Sequence, residues 1–219
     1  MSDTYEKLTK YSIRPAKGLG QNFLINQDIV KMIIDSSELG ESDFVIEVGP
    51  GLGALTGELA KRAGRVVAVE IDSKLIEPLE ELKLTFKNLV IVNGNILKLD
   101  IEKDIIRGFN IDGLKKIKVI SNLPYYITTP VIMKFLEERI ADLVSMIFMV
   151  QEEVGKRMTA NPGGKDYGAL SVVVGYFSEA RKLFTVPPSS FTPRPGVDSC
   201  VVKLDIYKNP KIFVKSEDY

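Results

Sequence analysis

The chain has 219 residues, 45% hydrophobic and 26% charged, which is enough for a sizeable core and too apolar for a disordered tract. It holds no histidine and one cysteine, Cys200. That excludes Ser-His-Asp and Cys-His triads, imidazole proton shuttles, an internal disulfide and cysteine-cluster metal sites, so no metal is expected and a reducing, cytoplasmic setting is. Basic and acidic residues number 29 each, and a net charge of zero, taken at face value, argues against a nucleic-acid binder.

No apolar stretch precedes a cleavage site in Met1 to Lys17. The longest strongly apolar run, Val144 to Val150, is far shorter than the roughly 20 residues of a membrane-spanning helix. In chain order, a polar leader (1–25) is followed by Asn26-Gln27-Asp28, a cap for a helix with Ile29, Val30, Ile33 and Ile34 on one face. Asp43 to Val48 reads as a strand ending in a glycine cluster, and Ala54 to Arg62 as an amphipathic stretch. Arg65 to Glu70 is a second strand, Ser73 to Leu84 a helix, Asn88 to Val92 a third strand and Lys118 to Ser121 a fourth. Pro130 to Arg139 is a helix with proline in its first turn, and Leu143 to Val150 a fifth strand. Ala169 to Phe177 and Asp198 to Ile206 are both rich in β-formers and are expected as two closing strands around a proline-rich, exposed loop. Apolar strands alternating with helices predict a doubly wound, Rossmann-like α/β domain, its sheet mostly parallel with an antiparallel C-terminal edge, over residues 26–207.

In such sheets ligands bind beyond the carboxyl ends of the strands, at the switch point. Gly49-x-Gly51-x-Gly53 lies at such an edge, where glycine lets the backbone turn and approach a ligand. Glu70, 21 residues after Gly49, suits ribose hydroxyls, and Ile71 follows it. A dinucleotide site and an unliganded tight turn both fit so far. Glu47 tilts the reading toward S-adenosylmethionine, because a carboxylate there suits an ammonium and a sulfonium and repels a pyrophosphate. After the third strand, Asn95 can accept from an adenine amino group while Ile96 packs on the ring.

Asn122-Leu-Pro-Tyr125 ends the fourth strand. The Asn122 side-chain carbonyl and the Leu123 and Pro124 backbone carbonyls can hold the two hydrogens of an exocyclic amine. That frees the nitrogen lone pair from the ring and aims it at a methyl group, while Tyr125 stacks on the base. Displacement at a sulfonium methyl needs alignment more than a strong base, so a histidine-free chain can run it. A proline turn with a core tyrosine is the structural alternative.

Four segments in order, Gly20-Gln-Asn-Phe-Leu24, Glu47 to Gly53, Asn122 to Tyr125 and Val186 to Ser199, resemble the small-subunit ribosomal RNA adenine N6,N6-dimethyltransferase family. The resemblance runs from about Lys17 to Leu204. It implies that Asn22 and Leu24 close over the cofactor with Gln21 nearby, that Gly49 lines its methionine part, that Glu70 binds ribose, and that Asn122 faces both cofactor and target. It implies also that Phe191, held out on the stiff proline-rich loop, stacks opposite Tyr125 on a flipped adenine. A core position for Phe191 fits the sequence equally well. The implied partner is small-subunit rRNA or an assembling small subunit, met by a monomer. Two rival readings are a macrolide-resistance-type enzyme acting on large-subunit rRNA and a non-catalytic assembly or transcription factor on the same fold.

Two departures stand out. Asn95 takes the place of the family's aspartate, with a carbonyl still able to accept. Phe213 to Tyr219 reads as the first turn of the family's C-terminal helical domain (208–219 here), so a truncated chain is expected. Zero net charge also hides local bias: residues 1–31 carry five basic and three acidic groups, and Arg14, Lys17 and Arg194 are expected to meet RNA phosphates at the pocket mouth.

Overall fold

The computed structural model describes residues 3–109, 114 and 116–209; the expected start of a helical extension at Phe213 to Tyr219 lies outside them. A leader helix α1 (Asp3–Lys10) precedes a short strand β1 (Phe23–Leu24) and helix α2 (Gln27–Ser36). Asn26 caps α2 by accepting from the Asp28 and Ile29 N–H groups, and Ile29, Val30, Ile33 and Ile34 are buried along one face.

The main sheet is built from β2 (Asp43–Val48), β3 (Arg65–Glu70), β4 (Leu89–Asn93), β5 (Lys116–Asn122), β6 (Leu143–Gln151), β7 (Ser178–Val186) and β9 (Ser199–Ile206). Its order is β4-β3-β2-β5-β6-β9-β7. The first five are parallel to one another, and β9 runs antiparallel between β6 and β7. Helices α3 (Thr56–Ala60), α4 (Ile76–Thr85), α5 (Thr128–Glu137), α6 (Glu152–Met158) and α7 (Ala169–Phe177) cover the sheet. One apolar cluster, centred on Phe44, Val119, Phe135 and Phe148, packs one face, and a second, with Ile33, Val45, Leu59 and Val66, packs the other. Burial on both faces explains why the central strands read as unbroken Val/Ile runs.

The chain steps outward from β2 to β3 and β4, then returns to the other side of β2 as β5 and β6. The crevice between β2 and β5 is therefore the switch point. Backbone pairing of β2 with β5 reaches Ile46↔Val119, and beyond it the Val48 N–H donates to Ser121 Oγ (2.8 Å). That bond holds the strands together where they part to open a cleft.

The expected strand over Ala169–Phe177 is a helix, α7. Three consecutive valines favour β locally, but Ser171 and Val174 are buried one helical turn apart, and α7 packs on α5 and α6. The Gly168 N–H donates to Ser171 Oγ (3.1 Å), which closes the first turn; tertiary packing outweighs propensity here. The antiparallel edge is instead β7, and the proline-rich segment between β7 and β9 folds back as β8 (Phe191–Thr192) to pair with β1. Among the described residues no helix is long and apolar enough to cross a membrane.

Candidate active site

A cavity of about 280 Å³ opens at the carboxyl ends of β2, β3, β4 and β5. It is lined by Gln21, Asn22 and Leu24 from the leader, Glu47, Gly49 and Gly51 from β2 and the turn after it, and Glu70 and Ile71 at the end of β3. Asn95, Ile96, Asn122, Leu123, Pro124 and Tyr125 complete the set. Residues spread over a hundred positions of sequence thus meet in one cleft because the switch-point topology brings four strand ends together.

The glycine turn is shaped from two sides. Gly49 has φ +66°, and a Cβ on it would sit 3.4 Å from the Pro124 ring, so glycine permits both the turn and the approach of the two motifs. The Gly51 N–H donates to Glu70 Oε2 (3.1 Å), and the Asp72 N–H to Glu70 Oε1 (2.9 Å). Glu70 therefore fixes the turn, and each oxygen keeps a lone pair for a ligand hydroxyl. Burial raises its pKa against the lowering effect of the Asp72 and Gly51 N–H donors.

Glu47 places a buried carboxyl on the cleft wall. It is 1% exposed, and its Oε2 has no hydrogen-bond partner among the described residues. Desolvation pushes its carboxyl up to about 8; a nearby Thr56 hydroxyl, without a well-formed bond, offsets part of this, and Glu70 adds to it. A buried, unpartnered acid on a cavity wall is stabilised by an arriving cation, so Glu47 fits an ammonium or a sulfonium.

The leader closes the cleft through Gln21, whose Oε1 accepts from the Ala16 N–H (2.8 Å) while its Nε2 donates to Asp72 Oδ2 (2.8 Å). Asn122 Nδ2 donates to the Asn22 backbone carbonyl (3.3 Å), which settles the orientation of the amide and leaves its oxygen uncommitted among the described residues. Tyr125, half-buried, shares a 2.8 Å hydrogen bond with Ser199 Oγ.

Several expectations need correction. The Pro124 carbonyl accepts from the Ile127 N–H (3.1 Å) and the Thr128 hydroxyl (3.2 Å), because Tyr125–Ile127 is a 3₁₀ turn leading into α5. It is spent on that turn, which leaves Leu123, whose carbonyl is untaken among the described residues. Phe191 is not an exposed clamp. It is 2% exposed, pairs with Leu24 across β1 and β8, and packs with Met149 and Val201. The loop is zipped to the leader by Ile25 N–H donating to Ser190 O (2.9 Å), so burying an aromatic beneath it costs no strand edge. Asn95 Oδ1 is already accepting from the Leu97 N–H (3.0 Å). Arg14 and Arg194 are exposed and do not line the cavity, and the Lys17 side chain lies outside what is described.

The sequence reading missed Tyr126, 51% exposed on the cavity wall with Gly20 packed on its ring, and the anchoring role of Ser199. Tyr126 carried a signal in its adjacency to Tyr125. Ser199 carried none beyond its place at the end of the last motif.

Comparison with known proteins agrees with this geometry. A family model described as ribosomal RNA adenine dimethylase matches residues 14–219. The chain is 50% identical to the ribosomal RNA small subunit methyltransferase A of Alkaliphilus oremlandii over 98% of its length and 74% of that protein's. It is 49% identical to the protein of the same name from Moorella thermoacetica, over 94% of the chain and 72% of the relative. Among solved structures, a dimethyladenosine transferase from Plasmodium falciparum aligns with TM-score 0.74 and 32% identity, over 85% of this chain and 64% of that one. The 23S rRNA methyltransferase ErmE aligns with TM-score 0.75 and 27% identity, over 88% and 73%. With the strand-end cleft, the glycine turn and the Asn-Leu-Pro-Tyr corner all in place, the chain belongs to the ribosomal RNA adenine dimethylase family.

Proposed function

We propose that this protein transfers methyl groups from S-adenosylmethionine to N6 of two adjacent adenosines in a loop near the 3′ end of small-subunit rRNA. It acts as a monomer in the cytoplasm, on an assembling small subunit. The observation that carries the reading is the Asn122 amide on the cavity wall, held by Asn22 through its NH₂, with its carbonyl oxygen and the neighbouring Leu123 carbonyl both untaken among the described residues. Two acceptors side by side are what a primary aromatic amine requires.

The cavity fits the cofactor on its own chemistry. The Glu47 oxygen without a partner among the described residues suits a cationic methionine portion, Glu70 keeps lone pairs for ribose, and Ile96 lines the cavity as an apolar contact for a base. When bound, S-adenosylmethionine supplies an electrophilic methyl group. Asn122 and Leu123 hold the amine hydrogens and thereby turn the nitrogen lone pair out of the purine ring. Tyr125, anchored by Ser199, fixes the plane of the base, and the methylated nitrogen sheds its proton to water. A target base embedded in a duplex cannot reach such a cleft, so a loop nucleotide rotated out of its stack is the fitting substrate. Arg14, Lys17 and Arg194 serve the flanking phosphates.

The likeness to ErmE favours a second reading, methylation of large-subunit rRNA. The higher identity to small-subunit methyltransferases weighs for the first. Digestion of small-subunit rRNA after incubation with enzyme and cofactor tests the chemistry. Two N6,N6-dimethyladenosines per subunit are expected, and monomethylation alone, or none, contradicts the proposal.

A further inference from the structure

Asn95 follows β4 and caps the 3₁₀ turn Ile96–Lys98, with its Oδ1 accepting from the Leu97 N–H at 3.0 Å. The Lys98 N–H completes the turn by donating to the Asn95 backbone carbonyl (2.9 Å). The orientation of the side-chain amide is chemically forced. A backbone N–H needs an oxygen opposite it, and a flipped amide would set two donors against each other. The group of Asn95 left over is therefore its NH₂, which has no partner among the described residues, on a residue that lines the cavity beside the buried Ile96 and the partly buried Leu97.

A base seated on Ile96 would present its edge to that NH₂. Adenine's edge carries acceptors at the ring nitrogens and a donor pair at the 6-amino group. The Asn95 NH₂ can meet a ring nitrogen and cannot accept from the amine. Turning the carbonyl toward the amine would strip the Leu97 N–H of its cap. An aspartate at 95 has no such conflict, because one oxygen caps the turn and the other faces the base.

We propose that Asn95 leaves the exocyclic amine of the cofactor's adenine unread, so that this chain holds its cofactor without selecting for a 6-amino purine. The inference rests on the cofactor reading above. It is tested by calorimetric titration of the whole chain with S-adenosyl-L-homocysteine and with its 6-deamino analogue, in which purine replaces adenine, for the natural protein and for Asn95→Asp. The natural protein is expected to bind the two ligands within about 3-fold. Asn95→Asp keeps the cap, is expected to bind the adenine ligand about 10-fold more tightly, since the acceptor is charged, and loses that gain with the analogue. A natural protein that loses 30-fold or more on removal of the amine overturns the inference while leaving the cofactor site intact. So does an Asn95→Asp variant that folds normally and shows no change in preference. Failure of both proteins to bind either ligand overturns the cofactor reading, and this inference with it.

Discussion

Tyr125 and Ser199, 74 positions apart, share a 2.8 Å hydrogen bond between their hydroxyl groups. The bond ties the Asn-Leu-Pro-Tyr corner, at the end of β5, to the first residue of β9, and so to the proline-rich segment before it. A half-buried tyrosine that must present its ring to a substrate gains orientation from such an anchor. Ser199→Ala is expected to lower kcat about 10-fold with cofactor affinity unchanged, and Ser199→Thr to restore most of the rate. An unchanged kcat in Ser199→Ala would remove the anchoring role.

Asn122 is expected to matter to turnover far more than to cofactor affinity. Its side-chain carbonyl acts on the amine only as the reaction proceeds, and loss of one such preorganised polar group costs about 100-fold or more. Asn122→Ala should show that loss in single-turnover methylation, with calorimetric affinity for S-adenosyl-L-homocysteine within about 3-fold of the natural value. A rate near normal would refute the assignment.

Glu47 predicts a pH dependence of definite sign. Its carboxyl stands at about 8 in the fold against an ordinary 4.5, so the folded state keeps a proton that the unfolded chain has released. This group therefore lowers the stability of the ligand-free protein as pH rises from roughly 4.5 to about 8. Glu47→Gln should flatten that slope in urea melts taken across this range. Entry of a cationic ligand expels the proton, so cofactor affinity should rise between pH 6 and 8 in the natural protein and not in the variant.

Gln21 bridges Ala16 and Asp72, joining the leader to the end of β3. Gln21→Ala removes both bonds at a partly exposed position. Cofactor affinity should fall about 5- to 10-fold, with the melting temperature shifted by no more than a degree or two. Loss of overall stability instead of affinity would place Gln21 among the structural residues.

Lys118 and Asp43 form a buried ion pair (2.9 Å), and the same ammonium donates to the Ser37 and Glu38 carbonyls at the end of α2. Lys118→Met strands the Asp43 carboxylate and leaves the Ser37 and Glu38 carbonyls without their donor. The expected loss is about 3–5 kcal/mol in urea unfolding, whereas a double Lys118→Met, Asp43→Asn variant should recover part of it.

The strands that carry the site were legible because each is apolar on both faces and closed by a polar or glycine signal. Asp43–Val48 and Arg65–Glu70 coincide with their sequence readings residue for residue. That the glycine turn, Glu47, Glu70 and Asn122 would meet at one cleft was legible because each stands at a strand end. What stayed hidden depended on partners remote in sequence. Ala169–Phe177 became helix through packing on α5 and α6. Phe191 was buried by the pairing of β8 with β1. The carbonyls of Pro124 and Asn95 were claimed by turns that only the folded backbone reveals. Lys118, a cation within a hydrophobic strand, has its reason 80 positions away, at the end of α2.

Tritiated methyl transfer from S-adenosylmethionine, run in parallel on undermethylated small subunits and on naked large-subunit rRNA, tests the assignment most directly. Incorporation into the small subunit, confined to two adjacent adenosines near the 3′ end and lost in Asn122→Ala, is the predicted result. Incorporation into the large-subunit RNA alone would contradict it.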